Sequence, residues 1–465
     1  MEVGAHRGAA LLMRRYAVIG AGASGLCCAK HLLQHGLGEV TLFEIGTQIG
    51  GLWCIENDSG RSPAYRTLHI NTARNLTQFP DWPFAPDVQP FPSHEDMHRY
   101  LVSYAERFDL VRRIRFRSRV VSVRPAPGYS REDPAWEVRL EDGTTEVFDR
   151  VVVASGHLSV PLHVPEYRDR FGGEYLHSCD YRGPEPFVGK KVCVIGVGNS
   201  ACDIASDVCV TSPSTTLVAR SGVMIGPKLL FGMPFTDLTM KLYRPWIPDR
   251  LRRRLISALG FLVPGPTTRH GFKPLTERAH PTTNAVVVHH IAYRRIAVKQ
   301  GIERIEGRRI RFVDGSEDEF DTMIACTGYL IDLPFVPEEI VPVRNNSVEL
   351  YKRTVPPGWR GLYFMGMYNT TTALNLLFDR QSKWICAHES GEAELPDDDA
   401  MRADIAAKQA WIAKHYKPSL RHGIEEEHLY YLAELDRSEK EGRRRRAARG
   451  AVRHDAAEAA AGTAS

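Results

Sequence analysis

Six residues, Gly20-Ala21-Gly22-Ala23-Ser24-Gly25, follow the apolar run Tyr16-Ala17-Val18-Ile19 and open a helix that reads through His31-Leu32-Leu33. In the spacing G-x-G-x-x-G the first glycine permits a tight turn. The second lets the backbone approach a pyrophosphate, and the third lets the helix pack closely on its strand. The helix N-terminus then presents free N–H groups to the anion. A glycine-rich turn alone is weak evidence. Here a second strand, Glu39 to Phe43, ends in Glu44, about where a carboxylate accepts the ribose hydroxyls of a bound dinucleotide. Gly50-Gly51-Leu52-Trp53 follows as a further glycine turn, as expected where the chain passes a bulky cofactor.

The same grammar recurs. Lys191 to Ile195 leads into Gly196-Val197-Gly198-Asn199-Ser200-Ala201, a helix to Val208, and a strand from Thr216 to Ala219 that ends in Arg220. A carboxylate at that end repels a 2′-phosphate and an arginine pairs with one, so NADP rather than NAD is predicted there. Lys228 is the next candidate for that contact, and a solvated arginine at a strand end is the plain alternative. Two dinucleotide sites on one chain imply electrons passing between two cofactors, commonly a flavin and a nicotinamide.

Between the two turns, Phe171-Gly172-Gly173-Glu174-Tyr175-Leu176-His177-Ser178-Cys179-Asp180-Tyr181 reads F-x-G-x-x-x-H-x-x-x-Y. It resembles the identifying sequence of the flavin-containing monooxygenases; Baeyer–Villiger monooxygenases carry a similar element that typically ends in Trp. Asn71-Thr72-Ala73-Arg74-Asn75, running on to Phe79-Pro80-Asp81-Trp82-Pro83-Phe84, is similar to the segment in which that family sets an Asn against the flavin, Asn71 being the match. Cys326-Thr327-Gly328-Tyr329 is like the family's A-T-G-Y linker with Cys in place of Ala, and Asn375 to Gln381 also has a family look. The resemblance covers most of residues 15 to 385. It implies FAD and NADPH as cofactors, with Gly20 to Gly25, Glu44, Leu52, Trp53, Asn71 and Thr72 on the FAD side. Gly196, Gly198, Asn199, Ser200, Ala201 and Arg220 then lie on the NADPH side. It further implies that NADPH reduces the flavin, that dioxygen adds at flavin C4a, and that the hydroperoxide gives one oxygen to a soft nitrogen or sulfur nucleophile. Asn71 is the expected catalytic residue, hydrogen-bonding the oxygenated intermediate, whereas His177 is read as a hinge and interface residue. A Baeyer–Villiger or N-hydroxylating enzyme on the same scaffold is the alternative.

One competing motif is His94-Glu95-Asp96-Met97-His98, which fits H-E-x-x-H and on a helix places two histidines on one face for zinc. Ser93 with Asp96 approximates a capping box, and Met97, Leu101, Tyr104 and Phe108 make an apolar stripe, so the segment is helical. A zinc hydrolase has no use for two dinucleotide folds, so a surface helix is expected and no metal.

The two glycine turns and the resemblance together imply an α/β fold with two Rossmann-type dinucleotide-binding domains, the NADPH domain inserted in a discontinuous FAD domain. The boundaries read are 14–165 and 326–395 for FAD and 166–325 for NADPH. Within these, Trp136 to Leu140 and Val147 to Ala154 read as a β-meander ending in a buried strand, and residues 227–281 are a variable section that could set substrate preference. From about Pro396 the chain turns helical and charged, and its end, 396–465 with Arg443 to Arg446, reads as a disordered tail. The 465 residues exceed one ordinary core, 43% hydrophobic and 25% charged residues are ordinary globular values, and a net charge of +4 gives no argument for nucleic acid. Nine scattered cysteines without a Cys-x-x-Cys pair argue against a disulfide framework or a redox dithiol. No apolar run reaches the roughly 20 residues of a bilayer span, and Met13 is an alternative start. The expectation is a cytoplasmic enzyme acting on a small nucleophile and dioxygen, with a homodimer left open.

Overall fold

The computed structural model describes residues 13–462 except 245, 276–280, 285, 371–373, 417, 418 and 421, so the reading of residues 1–12 and of the last three lies outside them. Its first sheet has five parallel strands in the order Leu362–Phe364, Arg150–Val153, Arg14–Ile19, Gly38–Phe43 and Ile114–Arg115. Alternate residues of the central strand point to opposite faces. Tyr16 and Val18 enter the core beneath the helix Ala23–Gln34, and Ala17 and Ile19 meet Val123, Trp136 and Phe148 on the other side. With both faces covered, a continuous apolar run is what such a strand needs.

The second sheet also has five parallel strands, Ile296–Lys299, Ser214–Val218, Lys191–Ile195, Thr322–Ala325 and Glu174–His177, but its outer strand Glu174–His177 precedes the fingerprint strand in sequence. Val192 and Val194 pack under the helix Asn199–Val208, while Cys193 and Ile195 face Phe312 and Phe320. The edge strand Leu362–Phe364 returns to the first sheet after every strand of the second, so the second unit is inserted in a discontinuous first one. The helix Leu374–Glu389 locks that return. Glu389 takes Arg14 Nη1 at 3.1 Å, Tyr16 OH at 3.0 Å and Arg150 Nε at 2.8 Å, and accepts the Tyr363 hydroxyl as well.

Two sequence expectations need correction. Val147 to Ala154 is two strands, Thr145–Phe148 of the meander and Arg150–Val153 of the main sheet, parted at Asp149. The Asp149 carboxylate accepts the Arg15 N–H at 2.6 Å while its own N–H donates to Arg15 O, which fixes the crossover between sheets. The charged C-terminal section is also not a disordered tail over its described length. It forms the helices Asp398–His415 and His428–Gly462, and the second of these buries Tyr431 and Leu435 in the core of the first unit. Its charges look solvated in sequence because their partners are distant: Arg443 meets Glu392, Arg449 meets Glu394, Arg380 meets Asp436 and Glu439, and Lys408 joins Glu426 to Glu434. Residues 225–283 carry two short strand pairs and the helices Phe235–Met240 and Asp249–Phe261.

Candidate active site

The three glycines of the first turn have three different surroundings. Gly20 has φ +109°, and a Cβ there would meet Ala154 O at 2.6 Å; at Gly25 it would meet Gly20 O at 2.0 Å. Gly22 is open: its added Cβ finds only Gly51 Cα, at 3.7 Å. The second glycine turn folds back on the first through Gly50 N–H to Ala21 O at 3.2 Å, bringing the half-buried Leu52 and Trp53 alongside. Gly22 is the N-cap of the helix that holds Ala23 and Ser24, with no side-chain cap and no acid in the first turn. Its first N–H groups are therefore free for an anion. Glu44 lies buried beneath, Oε2 accepting from Ala21 N at 2.8 Å and Oε1 from Gly46 N at 3.0 Å. A carboxylate has about four acceptor positions, so two remain.

In the second turn Gly196 has φ +118° and an added Cβ would lie 2.5 Å from Cys326 O, which packs the Cys326-Thr327-Gly328 linker against it. The helix again starts uncapped, on Gly198, with no acid in its first turn. Ala201 is fully buried, Ser200 is exposed, and Asn199 Oδ1 accepts the Thr283 N–H at 2.9 Å. Arg220 stands exposed just past its strand, close enough to Tyr167 for its charge to be felt there. Lys228 lies elsewhere, over the ring of Phe91 at 5.6 Å.

The Asn71 segment leads into the short helix Arg74–Thr77. It is pinned by Ile70 N–H to Pro92 O and Arg74 N–H to Pro90 O, both at 2.8 Å, and by Ala73 N–H to Thr236 Oγ1 at 3.3 Å. Thr72 is held by Thr77 through a hydroxyl pair at 2.7 Å. Just upstream, Tyr65 OH donates to Asp203 at 3.0 Å and Thr67 Oγ1 to Asp207 at 2.9 Å, tying this loop to the second fingerprint helix. Asn71 Oδ1 is buried and has no hydrogen-bond partner among the described residues; Thr370 Oγ1 and Asn375 Nδ2 share that condition. A buried unsatisfied polar atom costs about 1–3 kcal/mol. A Cβ added at Gly366, shortly before Thr370, would lie 3.7 Å from Ser24 Cβ, so this stretch borders the first turn. Open Gly22, two uncapped helix starts and orphaned amide and hydroxyl groups beside them fit a flavin and a nicotinamide dinucleotide. Sequence reasoning missed Thr370 and the Tyr65–Asp203 tie, because no local spacing marks them.

His177 is a joint. Cys179 N–H donates to its Nδ1 at 3.2 Å, so the proton sits on Nε2, which donates to Gly328 O at 3.0 Å. Burial, then His163, holds its pKa down to about 4, and a neutral ring suits both bonds. The thiols flanking this joint are quiet: burial pushes Cys179 and Cys326 up to about 12. The H-E-x-x-H helix, His94–Arg107, starts on a full capping box of Ser93 and Asp96. His94 is buried and the His98 ring lies against Gly50, where an added Cβ would meet it at 2.8 Å. Among the described residues the one metal-type grouping is elsewhere, at Cys27, His31 and Asp379, with His31 Nε2 already 2.8 Å from the carboxylate.

The family model for flavin-binding monooxygenase-like proteins matches residues 13–440. Flavin-containing monooxygenase 5 of Oryctolagus cuniculus is 33% identical over 443 residues, which cover 91% of this chain and 82% of that one. Dimethylaniline monooxygenase [N-oxide-forming] 2 of Cavia porcellus is 28% identical over the same shares. Among solved structures, S-allyl-L-cysteine S-oxygenase from Allium sativum superposes with a TM-score of 0.69 at 27% identity, covering 92% of this chain and 89% of that chain. A relative carrying FAD and NADP, at 16% identity and a TM-score of 0.68, shares the fold. The uncapped glycine turns, the bridging Asn71 segment and these matches converge: the chain belongs to the flavin-binding monooxygenase-like family and is an FAD- and NADPH-dependent monooxygenase.

Proposed function

We propose that the enzyme places one oxygen atom on a soft nitrogen or sulfur nucleophile, and that Asn71 governs how much reduced oxygen reaches that substrate. In balance, NADPH, a proton, dioxygen and a thioether or amine give NADP+, water and the oxide. When bound, the flavin takes hydride from NADPH and activates dioxygen. Gly20, Ala21, Gly22, Ala23, Ser24 and Gly25 offer its pyrophosphate a backbone cradle, and Glu44 its ribose two free acceptor positions. Leu52, Trp53 and Thr72 wall the site. Gly196, Gly198, Asn199, Ser200 and Ala201 do the same for NADPH, and Arg220 meets the 2′-phosphate. The FAD-binding residues are assigned to 14–165 and 326–395 and the NADPH unit to 166–325.

The observation that carries this reading is the orphaned Oδ1 of Asn71, buried on the loop that joins the first unit to the second fingerprint helix. An amide can donate and accept, so it can hold a polar oxygen in a site kept dry. Tyr181, where Baeyer–Villiger enzymes typically carry Trp, favours heteroatom oxygenation.

The test uses Asn71→Ala and Asn71→Asp at equal flavin content. Both variants are expected to keep FAD and its reduction by NADPH while releasing more hydrogen peroxide per NADPH, the carboxylate more than the methyl because it sets negative charge beside developing negative charge. Stopped-flow reduction and peroxide yield separate these steps. Equal peroxide yield in all three proteins refutes the role.

A further inference from the structure

The described part of the 225–283 section offers an unpaired cation to the same loop. Lys228 lies between the short strands Ile225–Gly226 and Leu229–Leu230, and its carbonyl accepts the Phe235 N–H at 2.9 Å. The next residue, Thr236, accepts from Ala73 N–H, and Asp237 accepts from Asn75 at 3.3 Å, so the backbone of Lys228 is linked through Phe235 to residues bonded to the Asn71 segment. Its ammonium lies over Phe91, the residue between Pro90 and Pro92, whose carbonyls hold the backbone on either side of Asn71 to Ala73.

The side chain is half-buried, and among the described residues no carboxylate comes within ion-pair distance of it. Asp203 is the acid that its charge feels, from beyond ion-pair distance, and that carboxylate already accepts from Tyr65 OH at 3.0 Å and from Asn284 Nδ2 at 2.6 Å. A partly desolvated ammonium with its nearest acid beyond contact distance gains from a ligand that brings an anion to it. The cofactors' phosphates have other places to go: the two uncapped helix starts and Arg220, which stands by Tyr167 rather than by Phe91.

We propose that Lys228 is the recognition group for a carboxylate on the substrate, so that the preferred substrates are short aliphatic carboxylates bearing a thioether or amine. The carboxylate ends at Lys228 over Phe91, and the sulfur or nitrogen is thereby turned to the Asn71 side. This rests on the oxygen-transfer reading above and narrows it to a substrate class.

A matched pair of probes tests it on the FAD-loaded, NADP+-bound protein: 3-(methylthio)propanoate and 3-(methylthio)propanol, which differ in the anion alone. One charge-assisted contact predicts KM and Kd lower for the carboxylate by about tenfold to a hundredfold. Lys228→Met is expected to collapse that ratio towards one, and Lys228→Arg to retain much of it. Calorimetric Kd values are read alongside turnover, so the site and the reaction are judged separately. If the carboxylate binds through Lys228 and neither probe is oxidised, the subsite stands and the oxygen-transfer reading falls. Equal affinity for the two probes in the native protein overturns the subsite. A Lys228→Met variant that loses NADPH affinity instead shows that the anion is a cofactor phosphate, and overturns it too.

Discussion

The two dinucleotide units share the order of four parallel strands about their glycine turns, take their outermost strand from opposite sides of the fingerprint strand in sequence, and differ in how their second strand ends. In the first, Glu44 is 4% exposed and bonded into its own glycine turn. In the second, Arg220 is exposed past the strand end. The third motif position differs likewise: Gly25 lets the helix close onto Gly20 O, whereas Ala201 leaves a methyl between helix and strand. The first helix is covered by the helix Leu374–Glu389, and the second faces the other unit through Tyr65 and Thr67. A buried carboxylate held by two N–H groups is organised before any ligand arrives. An exposed guanidinium is organised only by the ligand, at a cost in side-chain entropy. The contrast suits the first unit to a cofactor that stays and the second to one that comes and goes.

The largest effects are expected in the first turn. Gly25→Ala sets a methyl on Gly20 O and should cost about 3 kcal/mol or more, read as a lowered urea midpoint together with lost flavin. Gly22→Ala has room in the protein and should fold normally yet purify colourless, because the methyl fills the pyrophosphate cradle. A yellow Gly22→Ala protein breaks the assignment of that cradle.

The joint between the units comes next. The folded pKa of His177, about 4, lies below the ordinary value near 6.5, so its contribution to stability is whole above about pH 6.5 and is lost as pH falls towards 4. The shift corresponds to about 3 kcal/mol across that window. His388 and His428, held down to about 4 by burial, titrate in the same window, so His177→Gln should flatten the urea-midpoint profile in part. An unchanged profile shows that the ring is not held neutral.

The smallest effect belongs to the exposed arginine. Arg220→Ala should lower the preference for NADPH over NADH by about 1.5–3 kcal/mol, tenfold to over a hundredfold in kcat/KM, without changing flavin content. An unchanged ratio moves the determinant away from the strand end and removes half of the contrast.

What was legible in the sequence is what is local. Each glycine turn, its flanking strands and its terminal Glu44 or Arg220 lie within a few dozen consecutive residues, so type and spacing were enough. The capping box at Ser93 was readable for the same reason. The helical character of the C-terminal section was legible, but its disorder was misread because the charges of Arg443 and Arg449 are answered by Glu392 and Glu394, 51 and 55 residues earlier in the chain. Thr370 gave no signal either, and Lys228 was legible only as a second candidate for the 2′-phosphate: its place over Phe91 is one that only the fold makes.

The interrupted first sheet bears on the order in which the protein is made. As the chain leaves the ribosome, Glu174 to Ala325 emerges as a unit whose sheet has every strand it will ever have. At that moment the earlier unit still shows the bare apolar edge Arg150–Val153, because Leu362–Phe364 and the Glu389 lock have not been synthesised. An exposed strand edge of that kind invites pairing with other chains. Chaperone demand during translation therefore falls on the nucleotide unit that begins first, which is also the last to finish.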